Sequence, residues 1–166
     1  MQTLTFTVAG QPYAIPSRTV REVLPLVPAR PIPLLPAFVR GVFTYRGRLV
    51  PLVDLARRFG APAADPTVRR LSTRVIVVEF PLSAIAPEEA AARPGWVRLG
   101  LLADNVISIH TAPDDQTIPA AVDRTSFLGR LLRIDDRTVQ LVMVERLVPR
   151  ELLLDLVATV GGDHGP

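Results

Sequence analysis

Residues 41–55 read GVFTYRGRLVPLVDL, two apolar runs of strand length that meet at Arg46 and Gly47. Branched and aromatic side chains on both sides of a glycine-bearing break are the signature of a hairpin. Gly47 is expected at positive φ, where a residue with a side chain would cost about 1–2 kcal/mol. Arg46 then projects from a stiff backbone toward solvent or into a groove. An arginine presented this way can anchor a partner, because little of its ordering cost remains to be met on docking. The bland alternative is a surface arginine on a glycine turn, and spacing alone does not choose between the two.

Working outward, strand-like segments follow one another closely: TLTFTVA, PYAIP, VREVLPLV, VRGVFTYR, RLVPLVDL, RVIVVEF, WVRLGLLA, NVISIHT, GRLLRID and RTVQLVMV. Most are short, rich in β-branched residues and bounded by Pro, Gly or Asp, which predicts an all-β barrel or sandwich. Helices are few and short: one near Leu55–Phe59 with Asp54 as its cap, a turn near Ser17–Val20, and one from about Pro149 to Val157. Pro25–Pro36 lacks too many backbone donors to be a central strand and reads as an ordered connector. Gly60–Pro66 also punctuates the chain, and Pro81–Pro94 reads as a long, mobile loop with one helical turn at Pro87–Ala92.

The hairpin occurs twice. Laying Phe38–Leu55 on Phe127–Val144 sets Phe38 on Phe127, Arg48 on Arg137, Val50 on Val139, Leu52 on Leu141 and Val53 on Val142. Upstream, Ile15 falls on Leu101, Val20 on Val106 and Val23 on Ile109. This duplication predicts a single domain of two small barrel lobes, each closing off its own sheet edges. The expected lobes are about 13–75 and 76–145, with 1–12 and 146–157 packing across them and 158–166 as a tail. Only the first copy has Arg–Gly at its tip; the second has Asp135–Asp136, ordinary turn residues.

The 166 residues contain no cysteine, which excludes disulfides, thiolate metal sites and a cysteine nucleophile. A cytoplasmic location is the simplest expectation, with no direct membrane insertion, since no apolar run reaches spanning length. All basic side chains are arginine, so the pI of about 10.5 accompanies a net charge of only +3. The arginines are scattered, which argues against nucleic acid as a partner; a small nucleic-acid-binding barrel is the alternative reading. No cofactor, metal or catalytic residue is expected. His110 ends an alternating strand, His164 lies in a GGDHGP tail, and an Asp54–Glu22 carboxylate pair has only its acidity to recommend it.

The segments TFTVAGQPYAIPSRTVREVL, PAFVRGVFTYRGRLVPLVDLARRFG, RVIVVEF, VRLGLLADNVISI and FLGRLLRIDDRTVQLVMVERLV together resemble the CheW-like domain, from about Leu4 to Leu156. The resemblance implies two five-stranded SH3-like barrels around a shared apolar core. It implies a non-enzymatic adaptor that joins the cytoplasmic tip of a chemoreceptor to the regulatory domain of a CheA-type histidine kinase, in arrays at the inner membrane. The pathway served would be flagellar, or one controlling pili, surface sensing or biofilms. Carried over by position, it nominates Val20, Glu22, Gly41, Arg46, Gly47 and Val106 for receptor binding. Arg46 would be the polar anchor, Val20 and Val106 the apolar floor, and the glycines the geometry. Thr44–Tyr45 stand where an asparagine and an aliphatic residue are more usual in that family.

Overall fold

The run RVIVVEF shows no polar alternation because both of its faces are buried. In the computed structural model, which describes residues 1–61, 71–111, 117–118 and 127–160, it lies within strand β6 (Thr73–Pro81). Val75 and Val77 point into one apolar cluster with Phe43, Tyr45, Val50 and Leu52. Ile76, Val78 and Phe80 point into a larger cluster that also holds Phe6, Ile15, Val53, Leu101, Phe127, Val142 and Leu153. A strand buried on both faces reads as a continuous apolar run.

The other strands are β1 (Gln2–Val8), β2 (Gln11–Pro16), β3 (Val20–Pro25), β4 (Val39–Tyr45), β5 (Arg48–Asp54), β7 (Trp96–Thr111), β8 (Thr117–Ile118), β9 (Leu128–Ile134) and β10 (Arg137–Val142). The helices are α1 (Leu55–Arg58), α2 (Pro87–Ala92) and α3 (Arg150–Val160). Strand order divides the sheet into two units of the same design. The first lobe runs β3-β6-β7-β5-β4 and the second β7-β1-β2-β10-β9, with β8 added at its edge. The fold is therefore all-β, a pair of SH3-like barrels.

The ladders carry the duplication further than sequence does. Leu52 pairs with Gly100 in a parallel ladder, and Leu141, its repeat partner, pairs with Ala14 in another. The amide of Asp54 donates to the carbonyl of Phe38 at 2.7 Å, as that of Met143 does to Phe127 at 2.7 Å. The aligned valines and leucines fall in matching places. Val50 and Leu52 fill the first barrel, Val139 and Leu141 the second, and Val53 and Val142 the shared core.

Three expectations need correction. The lobes do not divide near residue 75, and residues 1–12 are not a bridging segment: β1 and β2 pair with each other, with β10 and with the second half of β7, so they belong to the second lobe. β6 and the first half of β7 belong to the first. The copies exchange their leading hairpins, which a repeat alignment cannot reveal because it records likeness and not pairing.

WVRLGLLA and NVISIHT are one strand, β7, that passes from one lobe to the other at Asp104–Asn105. Asp104 pairs with Thr73 on one side and Thr7 on the other, and Asn105 takes the left-handed conformation (φ 48°) that asparagine tolerates. The 81–94 segment is built rather than loose. It forms a 3-10 turn at Leu82–Ala84 and then α2, buries Ala86 and Ala90, and pairs Glu89 with Arg150 at 3.4 Å.

The other elements match their expectations closely. A 3-10 turn occupies Ser17–Thr19, Asp54 caps α1 by accepting from the amide of Arg57, and Pro149 begins the last helix by accepting from the amide of Leu153. Most of Gly60–Pro66, and the tail with His164, lie outside the described residues.

Candidate functional site

The β4–β5 hairpin turns through Arg46 (φ 49°) and Gly47 (φ 76°), both positive as a type I′ turn requires, with Tyr45 paired to Arg48. The glycine is in the expected conformation, and the arginine shares it. A side-chain-bearing residue there carries a backbone cost of about 1 kcal/mol. The matching tip of the second lobe, Asp135–Asp136, has the same signs of φ (48° and 62°). The two tips share a backbone and differ in charge.

Arg46 is directed outward, its side chain 64 % exposed. Its Nη2 lies 3.6 Å from Oε2 of Glu22 on β3, and its guanidinium sits 5.4 Å from the Tyr45 ring centre. The same Glu22 oxygen accepts a 2.7 Å hydrogen bond from the Tyr45 hydroxyl. That bond pushes the Tyr45 phenol above its usual value of 10.0, because ionisation would remove the donor and set two anions side by side; burial adds to the shift. Glu22 thus ties the turn of one hairpin to a neighbouring strand. The Arg46–Glu22 pair is exposed and long, so it is worth at most about 1 kcal/mol and is easily exchanged for an acceptor brought by another molecule.

Gly41 does something different. It lies buried in β4 at φ 137°, beside a shift in the β4–β5 register. A Cβ there would stand 2.0 Å from the Arg30 carbonyl oxygen. Arg30 belongs to the proline-rich connector, which is fastened to β4 by the Arg30 amide to Val42 carbonyl bond (2.7 Å) and its reciprocal (3.0 Å). The absent side chain lets the connector close over the barrel.

Val20 and Val106 are repeat partners: Val20 opens β3 after the 3-10 turn that leads from the second lobe to the first, Val106 follows the point where β7 crosses from the first lobe to the second, and both pack against the shared core while partly exposed. The structure thus brings Glu22 and Arg46 into direct contact. It places Val20 and Val106 at the seam and gives Gly41 and Gly47 backbone roles.

Two contacts escape a reading by residue type, the Tyr45–Glu22 bond and the Asp54–Arg40 bond. Tyr45 aims its hydroxyl at Glu22, and its signal was the unusual Thr44–Tyr45 pair before the turn. Asp54 caps α1 and also accepts from Arg40 Nε at 3.0 Å, holding the bulge below Gly41.

A doubled barrel that presents a shallow polar group beside an apolar seam is a protein-binding module in form. The family described as CheW-like domain matches residues 2–152. A chemotaxis protein CheW of Rhizobium meliloti (strain 1021) is 34 % identical over 152 residues, 89 % of this chain and 87 % of the relative. A probable chemotaxis protein CheW of Rhizobium etli is 30 % identical over 149 residues, 87 % of this chain and 84 % of that one. The crystal structure of the scaffolding protein TtCheW from Thermoanaerobacter tengcongensis shares the fold, with a TM-score of 0.69 at 24 % identity, covering 85 % of this chain and 87 % of its own. The chain belongs to the CheW-like domain family, the scaffold and adaptor proteins of chemotaxis.

Proposed function

We propose that this protein is a non-enzymatic adaptor that couples the cytoplasmic tip of a chemoreceptor to the regulatory domain of a CheA-type histidine kinase. It would be recruited from the cytoplasm to receptor arrays at the inner membrane, serving a flagellar or a surface-sensing pathway. The observation that carries the receptor half is the Glu22–Tyr45–Arg46 group. It is a rigid turn whose guanidinium is exposed, lies over the Tyr45 ring and pairs with a carboxylate that another acceptor can replace. Val20 and Val106 supply apolar surface at the seam, while Gly41 and Gly47 fix the backbone that aims Arg46. Against the nucleic-acid alternative stands the pairing of many arginines with carboxylates, including Arg21 and Arg98 with Glu79 and Arg40 and Arg57 with Asp54. Among the described residues no helix is long and apolar enough to cross a membrane, so contact with receptors would run through protein.

The test is titration calorimetry of the receptor cytoplasmic fragment, and separately of the kinase regulatory domain, against wild type, Arg46→Ala and Arg46→Gly. Loss of a central arginine costs about 2 kcal/mol, roughly thirtyfold in receptor affinity. Arg46→Gly also relieves the positive φ, so it should bind weakly without losing stability. Kinase binding should be unchanged by either substitution. Full receptor affinity in both variants would sink the assignment of Arg46, and failure of wild type to bind either partner would sink the adaptor reading itself.

A further inference from the structure

The lobes share strand β7 and an apolar core, and a cation lies between them. Arg58, the last residue of α1, places its guanidinium carbon 4.9 Å from the centre of the Phe38 ring and 4.3 Å from that of Phe127. These two phenylalanines are repeat partners, each just before the corresponding hairpin of its own lobe. Nε of Arg58 donates a 2.6 Å hydrogen bond to the carbonyl of Leu147. Leu147 stands at the same separation from Phe127 as Arg58 does from Phe38, so it is the position that Arg58 would occupy in the second copy. The guanidinium therefore sits between symmetry-like mates, at the place where the two copies meet, and only one copy supplies it.

The next residue extends the contact. Phe59 stacks on Phe127 with ring centres 5.4 Å apart and planes 5° from parallel, and Tyr13 of the second lobe tilts against Phe59 at 4.8 Å. Burial lowers the Arg58 guanidinium from its usual value, yet an arginine so placed stays charged at neutral pH. A guanidinium is flat, weakly hydrated and able to stack on two rings while donating in its own plane, which an ammonium cannot do.

We propose that Arg58 is the positioning residue that fixes the angle between the two lobes, clamped by one ring from each and tied to the backbone of the second. Strand β7, which turns at Asn105, and apolar packing in the shared core join the lobes, but the apolar contacts are not directional. The stacked and hydrogen-bonded cation is directional on three sides. It sets where the Arg46 turn of one lobe lies relative to the faces of the other, and it does so whether or not Arg46 meets a receptor.

The cysteine-free sequence makes the measurement direct. Spin labels on Arg48→Cys and Arg137→Cys, exposed repeat partners in the two hairpins, report the distance between lobes by double electron–electron resonance. Wild type should give one narrow distribution. Arg58→Met, which keeps the length and apolar bulk, should widen it about twofold, as a hinge freed of its stop samples more closure angles. Phe38→Leu, which removes one ring, should do the same, and Arg58→Lys should fall between. Ile76→Val, a shared-core truncation on β6, a strand that carries none of the clamp's residues, should lower stability and leave the width alone. Unchanged width in folded Arg58→Met would overturn the proposal, as would equal widening in Ile76→Val. If Arg58→Met does not fold, Phe38→Leu decides by the same criterion.

Discussion

Replacing Gly41 by alanine separates support from contact at the proposed receptor site. The added methyl would lie 2.0 Å from the Arg30 carbonyl oxygen and 2.6 Å from its carbon, both backbone atoms that cannot rotate away. The backbone must also hold φ 137° with a Cβ in place, a conformation that costs a non-glycine residue about 1–3 kcal/mol. If the connector is pushed aside, the two hydrogen bonds between Arg30 and Val42 go with it, at about 1 kcal/mol each. The expected loss is about 3–5 kcal/mol, a large share of the roughly 5–15 kcal/mol that holds a domain together. With a urea slope of about 2 kcal/mol per molar, the unfolding midpoint followed by circular dichroism should fall by about 1.5–2.5 M. Receptor affinity, corrected for the folded fraction, should fall far less than in Arg46→Ala. A midpoint shift below about 0.5 M would mean that the connector yields freely and that the steric reasoning fails. Near-normal stability with lost binding would make Gly41 a contact residue instead.

Asp54→Ala removes a helix cap and strands Arg40 and Arg57; it should cost about 2 kcal/mol, read as a lowered melting temperature with no change in the fold. Tyr45 should titrate above the usual tyrosine range in a phenolate absorbance titration, and Glu22→Ala should bring one of the two tyrosine steps down while leaving that of Tyr13 in place. The sign follows from the raised folded value. The stability from the Tyr45–Glu22 bond is fully present below pH 10 and is lost as pH rises through the folded pKa, so wild type and Glu22→Ala should converge in stability only in strong alkali. Arg46→Gly, stable but weak in receptor binding, and Arg58→Met, folded but with lobes no longer at one angle, complete the set.

Local chemistry made much of this protein legible in advance. β-Branched runs broken by Pro, Gly and Asp give strands whatever surrounds them, so the strand series, the hairpins, the cap at Asp54 and the start of the last helix near Pro149 could be read from neighbours in sequence. The Arg46–Gly47 turn was readable for the same reason: glycine answers a requirement of its own backbone. The repeat was visible because matched core positions need residues of matched size, as Val50 with Val139 and Leu52 with Leu141 show.

Pairing was another matter, because hydrogen bonds between strands leave no mark on residue identity. Only the tertiary structure assigned β1 and β2 to the second lobe, joined two apparent strands into β7, and set the 82–95 excursion firmly against the body. The same holds for Glu22 meeting Tyr45 and Arg46, and for Arg58 lying between two phenylalanines from opposite lobes. Sequence determined which segments would be strands and where the chain would turn, since those depend on each residue's own backbone and bulk. Which strands meet, and which side chains they bring together, was decided by burial of apolar faces across long separations, and that is a property of the whole chain rather than of any stretch of it.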